Sequence, residues 1–485
     1  MKIDFLPEPE LEFGSGRHVD IRFGLMNYGP FDVNNTVAPK SINCGIVGTP
    51  ETVEGLVDWL ERCRGELTAK QSAKPNLFPR FPGFNEHSAF HSTLILDGRL
   101  RRTIPDRTLN AIHNKANEDE IVRETVHLFI NEFEHLVQST TVDVLICAVP
   151  GFIASLTGSD DSERGSEKND PAPGRARASV DFHHLLKAQA MNLGRPIQLV
   201  LPSTYDPSKR ARRARHGDSP KKRQDDATIA WNIHAAMYYK AGGTPWRLVR
   251  DSSQLATCYV GVSFYQALDG SSLGTSMAQV FDERGDGLIV RGGPVRMSKE
   301  DRQPHLSSID SLKLLQDALR QYRAVHKTLP ARVVMHKTST YNDEELEGFR
   351  DAGHEERIEL LDFVSTGRSL SETRLFRHGA YPTLRGTFLS LDDRHQLLYT
   401  RGSVEFFSTY PGMYVPRPFA FRCEDGEQTP KHLAREILAL TKMNWNDTQF
   451  DGGEPITVEA ARRVGAILKY VGATDRIAPR YSFYM

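Results

Sequence analysis

In the N-terminal half of the chain, short apolar runs alternate with longer stretches in which apolar residues recur every three or four positions. The runs at 41–47, 141–149 and 196–201 have the length and the nearly continuous apolar character of strands that are buried on both faces. The stretches at 51–67 and 119–136 have the apolar spacing of amphipathic helices. Strands that alternate with helices favour a parallel sheet, so we predict an α/β domain here.

The C-terminal half begins with three predicted strands, at 256–265, 276–281 and 288–291, which are separated by turns that contain glycine. A predicted helix at 305–326 and a strand at 331–336 follow. Three antiparallel strands, a helix and a further strand form the element order of an RNase H-like fold, which we predict for this half. The remaining predicted elements are strands at 358–364, 383–391 and 396–400 and helices at 342–352, 431–443 and 457–471.

Two polar segments interrupt these patterns. Residues 157–179 are rich in Ser, Asp, Arg, Gly and Pro and contain almost no apolar side chains, which predicts a flexible loop. Residues 209–226 form a basic stretch without apolar periodicity. A length of 485 residues corresponds to about three domains at roughly 150 residues each. We divide the chain into an α/β domain with an N-terminal extension at 1–250 and an RNase H-like domain at 251–485.

Composition excludes only a few classes of function. The formal net charge is −1, so any surface that binds nucleic acid must be a local basic patch. No Cys-x-x-Cys pair occurs, which argues against a structural zinc site or a disulfide framework and fits a reducing cytoplasm. No apolar run reaches the roughly 20 residues of a membrane span, and the first residues lack the apolar core of a signal peptide. We therefore expect a cytoplasmic protein without a membrane partner.

The strongest signal in the sequence is a series of short motifs near the C-terminus. They are LYTRGS (398–403), TYPG (409–412), VPRP (415–418), ILALTKMNWN (437–446), PIT (455–457) and YSFYM (481–485). In this order they resemble the end of the PIWI domain of prokaryotic Argonautes. Four further motifs are similar to the junction between the MID and PIWI domains of that family, namely QDDAT (224–228), AWN (230–232), YYKAGG (238–243) and PW (245–246).

The clear resemblance covers residues 196–485, and the segment 18–30 resembles the start of short Argonautes. The chain is thus similar to the short, prokaryotic branch of the family. The resemblance implies an α/β fold in which a Rossmann-like MID domain is followed by an RNase H-like PIWI domain, with no N or PAZ domain.

The MID domain of this family grips the 5′-phosphorylated end of a guide nucleic acid. The resemblance assigns Tyr205 to stacking on the first base and assigns Lys209, Gln224 and Lys240 to the 5′-phosphate. A terminal phosphate dianion needs several charge-assisted hydrogen bonds, which two lysines would donate. The resemblance also implies that the C-terminal carboxylate of Met485 enters this pocket through Mg²⁺, a cation that prefers oxygen ligands. No organic cofactor is implied.

The basic residues around this pocket allow two interpretations. They can form a solvated loop, which would mimic a nuclear localisation signal. Beside a phosphate pocket we favour contacts along the guide backbone, which give affinity without sequence specificity. The residues concerned are Arg210, Arg212, Arg213, Lys221 and Lys222.

Argonautes that cut their target hold two metal ions with acidic or imidazole side chains in the PIWI domain. The resemblance places Ser263 and Thr338 at two positions that are normally Asp, and it places Arg462, by a looser alignment, at another. A neutral hydroxyl cannot replace a bridging carboxylate. We therefore predict no catalytic residue and no nuclease activity in this chain. Four neighbouring acids are predicted to be solvated surface charges, namely Glu300, Asp301, Glu344 and Glu345.

The resemblance implies the guide-binding subunit of a prokaryotic defence complex. Its partners would be a short guide RNA, complementary single-stranded target DNA from a plasmid or phage, and a second protein in which an APAZ domain is fused to an effector. That effector would be a sirtuin-like or TIR NADase, or a nuclease, and its activation would kill or arrest the cell. Two alternatives stay open: an active guided nuclease whose acids lie elsewhere, and a DNA-binding regulator that uses no guide.

Overall fold

The computed structural model describes most of the chain. The described residues are 2–156, 180–206, 208, 224–249, 255–268, 270, 272–280, 287–367, 373–379, 382–407, 409–410, 415–449, 452–472 and 475–485. The predicted flexible loop at 157–179 and residues 209–223 of the predicted basic stretch lie outside them. No helix in the described ranges combines the length and the hydrophobicity that a bilayer crossing requires.

Strands and helices alternate in the first half of the chain, as the apolar pattern predicts. The strands are β1 (Lys2–Phe5), β2 (Leu11–Glu12), β3 (Arg17–His18), β4 (Ser41–Gly48), β5 (Thr93–Ile95), β6 (Arg101–Thr103), β7 (Val144–Ala148), β8 (Ile197–Val200) and β9 (Arg247–Leu248). The helices are α1 (Ile21–Tyr28), α2 (Pro50–Arg62), α3 (Asp106–His113), α4 (Glu118–Ser139), α5 (Gly151–Leu156), α6 (Phe182–Ala190), α7 (Pro202–Tyr205) and α8 (Asp226–Lys240).

The second half contains the predicted strands and helices and a few more. The strands are β10 (Thr257–Gln266), β11 (Leu273–Val280), β12 (Gly287–Met297), β13 (Pro304–His305), β14 (Arg332–Lys337), β15 (Leu360–Thr366), β16 (Thr387–Ser390), β17 (His395–Leu398) and β18 (Phe419–Asp425). The helices are α9 (Ser308–His326), α10 (Asp343–Glu355), α11 (Pro430–Leu440) and α12 (Ile456–Leu468).

The main sheet of the first half is parallel. Its strands follow the order β5-β4-β7-β8, and β6 pairs with the carboxyl-terminal part of β4. Side chains alternate between two apolar cores: Cys44 and Ile46 contribute to the core beneath α2 and α8, whereas Val47 contributes to the core beneath α4 and α6. Helix α2 begins directly after β4 because Thr49 and Thr52 each accept the other's backbone N–H. Helices on both faces of a parallel sheet form a Rossmann-like arrangement.

The second sheet follows the order β1-β16-β17-β18-β15-β14-β10-β11-β12-β13. Strands β10, β11 and β12 form an antiparallel meander, and β14 and β15 continue the sheet parallel to β10. Helices α9 and α10 pack on one face of this meander and α12 packs on the other. This arrangement confirms the RNase H-like fold that the element order predicts.

The N-terminal strand β1 belongs to the second sheet, where it pairs antiparallel with β16. Residues 2–5 of the predicted N-terminal extension thus pair with the C-terminal sheet, and our division of the chain at residue 250 stays a prediction. Buried ion pairs anchor the segment that follows β1. The Glu8 carboxylate accepts from Arg385 Nε at 2.8 Å and lies 2.9 Å from Lys442 Nζ, and both cationic side chains are fully buried.

Helix α8 is central to the first half, yet the hydrophobic pattern does not predict it. Twelve of its 15 residues are buried, so it lacks the polar face that makes most helices recognisable in a sequence. Asp225 caps it by accepting from the backbone N–H of Thr228 at 3.1 Å and from its hydroxyl at 2.7 Å. Helices α1 and α6 and strand β18 also lie outside the predicted elements.

Candidate nucleic-acid interface

Lys240 ends α8 with its ammonium group inside the protein, and the residue is only 5% exposed. Its Nζ donates to Gln198 Oε1 on β8 at 2.5 Å and to the main-chain oxygen of Met485 at 3.1 Å. A cation in the last turn of a helix is also stabilised by the negative end of the helix dipole. Strand β8, helix α8 and the segment around Met485 thus meet at one buried positive charge.

A second buried lysine, absent from the predicted site, lies against the same segment. Lys187 on α6 is 2% exposed, and its Nζ donates to the main-chain oxygen of Tyr484 at 3.4 Å. The only trace in the sequence is a lysine between Leu186 and Ala188, where an apolar residue would be expected. Two ammonium groups beside residues 484–485 supply positive charge that can attract an anion such as a phosphate, and the terminal carboxylate of Met485 offsets part of it.

Tyr205 lies on α7, the short helix that follows β8, and its ring packs against α2. A Cβ atom at Gly55 would lie 2.8 Å from Cε2 of the ring, so the glycine makes room for it. The phenolic oxygen is buried and has no hydrogen-bond partner in the described part of the chain. Burial raises the pKa of Tyr205 well above its usual range, and the carboxylates of Glu51 and Asp206 act in the same direction. The hydroxyl therefore stays protonated and retains an unused donor.

Gln224 and Lys240 lie at opposite ends of α8. Gln224 directly precedes the N-cap residue Asp225, whereas Lys240 is the last helical residue. The 15 residues of this helix span about 22 Å at ~1.5 Å per residue, which exceeds the combined reach of two side chains and one phosphate group. The prediction that both residues hold the same phosphate is therefore corrected: Lys240 reaches Met485, and Gln224 cannot join it there.

The other predicted ligands of the guide lie outside the described residues, so their roles stay predictions. They are Lys209, Arg210, Arg212, Arg213, Lys221 and Lys222. The described residue next to this stretch is Ser208, whose hydroxyl donates to Asp206 Oδ1 at 2.6 Å. This contact turns the chain immediately after α7.

Ser263 and Thr338, which the resemblance places at two catalytic positions, lie side by side in the second sheet. Ser263 is on β10, Thr338 follows directly after β14, and the two strands are parallel neighbours. The Thr338 hydroxyl donates to the Ser263 hydroxyl at 3.4 Å. Hydroxyls carry no charge that could compensate two metal ions. Among the described residues, no group of three or more potential metal ligands surrounds this pair.

Helix α12 covers the strand that carries Ser263. A Cβ atom at Gly261 would lie 1.9 Å from the main-chain oxygen of Thr457, so the helix can approach the sheet this closely only over a glycine. Arg462, which the resemblance places by a looser alignment at a further catalytic position, is on this helix and forms an ion pair with Glu454. An arginine adds positive charge where a metal ligand would be neutral or negative.

The acids near this pair are not all surface charges as predicted. Glu345 is fully buried, and its Oε2 lies 2.6 Å from Lys337 Nζ and 2.8 Å from His305 Nδ1. Asp301 binds the other ring nitrogen of His305 at 2.8 Å. Successive residues of an extended chain point to opposite faces of a sheet. Lys337 and its ion-pair network therefore lie on the opposite face of the sheet from Thr338. Burial lowers the pKa of Lys337 to about 8, although the charge of Glu345 opposes the shift.

No family model matches this chain, and no curated protein matches it either. Solved structures do match it. Clostridium butyricum Argonaute, bound to a guide DNA and a 19-mer target DNA, matches with a TM-score of 0.66 at 13% identity, over 97% of this chain and 53% of that chain. The fold is Argonaute-like. Drosophila Piwi matches with a TM-score of 0.57 at 13% identity, over 99% of this chain and 56% of that chain.

A third structure, of Aa-Ago with externally bound siRNA, matches the Argonaute-like fold with a TM-score of 0.57 at 14% identity, over 100% of this chain and 56% of that chain. The chain spans about half the length of these three structures. The matches confirm the predicted fold class, a Rossmann-like MID domain followed by an RNase H-like PIWI domain. The first sheet of this fold carries Gln198 and leads into Tyr205, and the second carries Ser263.

Proposed function

We propose that this chain binds a guide nucleic acid at its 5′ end and uses it to recognise a complementary strand without cutting that strand. The observation that carries the proposal is the pair of adjacent hydroxyls, Ser263 and Thr338, in an Argonaute-like fold. An RNase H-like centre that lacks carboxylates at both positions does not assemble two metal ions. Binding and recognition then remain as the activity, and an effector on another chain would perform the chemistry.

The guide 5′-phosphate would bind beside the buried ammonium groups of Lys240 and Lys187, together with Lys209. Tyr205 would stack on the first base, and Arg210, Arg212, Arg213, Lys221 and Lys222 would follow the guide backbone. Gln198 Oε1 and the main-chain oxygen of Met485 both accept from Lys240 Nζ, so two hard oxygen atoms lie near the phosphate position. Mg²⁺ prefers such ligands. We propose that the Met485 carboxylate would hold it near the phosphate, where it would supply further positive charge, and that no organic cofactor takes part.

The partners follow from the resemblance of the C-terminal motifs to short Argonautes. We propose a short guide RNA and single-stranded target DNA from an invading plasmid or phage. An APAZ-domain protein in the same cytoplasmic complex would carry the effector, which is a sirtuin-like or TIR NADase or a nuclease. The Clostridium butyricum Argonaute in the comparison holds a guide DNA and a target DNA. The preference for RNA or DNA is therefore part of the test.

The test measures the affinity of the purified chain for short single-stranded RNA and DNA, each with a 5′-phosphate or a 5′-hydroxyl, by fluorescence anisotropy. Charge-assisted hydrogen bonds contribute roughly 1.5–3 kcal/mol, so we expect the phosphate to raise the affinity at least about tenfold. Lys240→Met keeps the length of the side chain and should weaken this preference, because one of the three lysines at the phosphate is lost. Lys313→Ala, at an exposed position on α9, is the matched control and should retain it.

Two other outcomes would support the alternatives. Equal affinity for phosphorylated and hydroxylated ends, together with direct binding of duplex DNA, would favour a regulator that uses no guide. Cleavage of a complementary strand by the loaded protein in Mg²⁺ or Mn²⁺ would favour an active nuclease, provided that Ser263→Ala leaves the cleavage intact. Either result would overturn the proposal of a guided binder that does not cut.

A further inference from the structure

Three side chains with metal-ligand chemistry meet at the start of α6. One carboxylate oxygen of Asp181 and one ring nitrogen each of His183 and His184 all lie within 4.8 Å of one another. Asp181 is the N-cap residue and accepts from the backbone N–H of His184 at 2.8 Å. None of the three belongs to the predicted guide pocket or to the degenerate cutting centre.

The Nδ1 atoms of both histidines are shielded from solvent. That of His183 has no hydrogen-bond partner within the described ranges, and that of His184 has only the ion-pair contact with Asp181. Buried polar atoms are nearly always hydrogen-bonded, and an exception often marks a functional group or an ion that is bound there. The unpaired Nδ1 atom of His183, next to the pair of His184 and Asp181, is therefore a signal that a ligand completes the cluster.

The spacing within the cluster fits a shared ion. His184 Nδ1 lies 3.1 Å from Asp181 Oδ1, at ion-pair distance. Two ligands of one tetrahedral Zn²⁺ lie about 3.3 Å apart when each bond is about 2.0 Å long. The distance between this oxygen and this nitrogen is close to that value, so one ion could replace the direct contact between them.

Burial and the charges that face the cluster act on the pKa values of His183 and Asp181. Burial lowers the pKa of His183 far below its usual range, and the charges of Lys187, His184 and Lys240 lower it further, against the opposing charge of Asp181. A neutral imidazole is the form that coordinates a metal. Burial opposes ionisation of Asp181, but its contacts with His184 outweigh this and lower the Asp181 pKa.

We propose that Asp181, His183 and His184 bind one divalent transition-metal ion, for which Zn²⁺ is the best fit. Two imidazoles and one carboxylate are a ligand set that zinc accepts, with a fourth position left for water. Mg²⁺ and Ca²⁺ fit poorly because they prefer ligand sets made of oxygen atoms.

This ion would stabilise the contact between the two halves of the molecule. The main-chain N–H of Asp181 donates to the Tyr470 hydroxyl at 2.9 Å, and the ring of His184 stacks on the ring of Tyr470 with centroids 6.4 Å apart. Tyr470 lies just beyond the end of α12, the helix that covers Ser263. A metal that holds both histidines and Asp181 in place would therefore hold α6 against the end of α12.

The test is a Zn²⁺ titration of the chelator-treated full chain by isothermal titration calorimetry, without any nucleic acid. We expect one saturable Zn²⁺ site in the wild type and at least a tenfold loss of affinity when His183→Ala and His184→Ala are combined. The matched control combines His127→Ala and His135→Ala at exposed positions of α4 and should bind zinc like the wild type. Zinc should also raise the melting temperature of the wild type and the control, but not that of the double variant.

Asp181→Asn keeps the test decisive if the double variant does not fold. Asn is as good an N-cap as Asp, so this variant should retain the zinc-free melting temperature and lose zinc affinity. Zinc affinity that is unchanged in Asp181→Asn and the double variant, or no saturable binding by the wild type, would overturn the proposal. Because the titration contains no nucleic acid, its failure would leave the proposed guide-binding function untouched.

Discussion

Buried histidines illustrate how single residues respond to their surroundings in this protein. His234 lies among the rings of Trp59, Phe81 and Phe84, with centroid distances of 4.9–6.0 Å. His336 lies beneath α12. Burial lowers the pKa of each histidine to about 4, from the usual value of 6.5. Both rings are therefore neutral at physiological pH, and the apolar packing around them depends on that state.

The first prediction at this scale concerns acid stability. Because the folded-state pKa of His234 lies below its value in the unfolded chain, protonation favours unfolding as the pH falls from 6.5 towards 4. The stability linked to this residue is fully present above pH 6.5 and decreases by up to about 3 kcal/mol on acidification. His234→Phe suits the aromatic surroundings and should reduce the pH dependence of the unfolding free energy, measured by urea denaturation.

His87→Phe, at an exposed position, is the control for this experiment. It should leave the pH dependence as it is in the wild type. If the unfolding free energies of the wild type and His234→Phe depend on pH in the same way, protonation of the buried histidine does not destabilise the fold.

Among the secondary-structure elements, β14 and α10 are joined through one side chain. Glu345 caps α10 in a reciprocal arrangement with Asn342. It also binds Lys337 of β14 and His305, and it accepts from the backbone N–H of Leu306 at 2.8 Å. One carboxylate thus caps the helix that follows β14, neutralises a buried lysine and holds the segment before α9 in place.

Replacement of this carboxylate should therefore be costly. Glu345→Gln keeps the size of the side chain and an acceptor for the cap, but it leaves Lys337 buried without an opposite charge. Loss of one partner of a buried ion pair costs about 3 kcal/mol or more, which chemical denaturation at neutral pH would measure. Glu344→Gln, at the exposed position next to it, should change the unfolding free energy by less than about 0.5 kcal/mol. Equal effects of the two substitutions would contradict a buried ion pair.

At the level of the whole molecule, the two halves share one continuous core. Trp246 Nε1 donates to the main-chain oxygen of Lys442 at 2.9 Å, and Trp445 Nε1 donates to that of Trp246 at 3.1 Å. The ring of Tyr239 on α8 lies 4.4 Å from the ring of Trp445. Strand β1 adds a second link, because it completes the edge of the C-terminal sheet.

We therefore predict that residues 251–485 do not fold alone. Without the N-terminal segment, Arg385 and Lys442 would stay buried without the carboxylate of Glu8, and β16 would lack its partner strand. The fragment should show no cooperative thermal transition and should be degraded rapidly by proteases. Co-expression with residues 1–250 should restore a cooperative transition and resistance to proteolysis. A cooperative transition in the isolated fragment would show that the C-terminal sheet is an independent unit.

Particular residues show how far sequence patterns lead. Ser263 and Thr338 were identifiable because the motifs around them resemble those of Argonautes, and the structure brings them together. Gln224 and Lys240 looked like parts of one pocket, but α8 holds them far apart. That helix is buried on nearly every side, so its sequence lacks the periodicity that would have revealed the separation.

The sequence by itself determined the alternation of strands and helices in both halves, because burial within an element depends on neighbours two to four positions away. It also determined that the two positions that the resemblance makes catalytic, Ser263 and Thr338, carry hydroxyls, which is a matter of residue identity. Only the tertiary structure decided which distant segments meet: β1 with β16, Lys187 with Tyr484, and Asp181 with Tyr470. Such contacts form when the whole core closes, and pairing over hundreds of residues leaves no periodic trace in the chain.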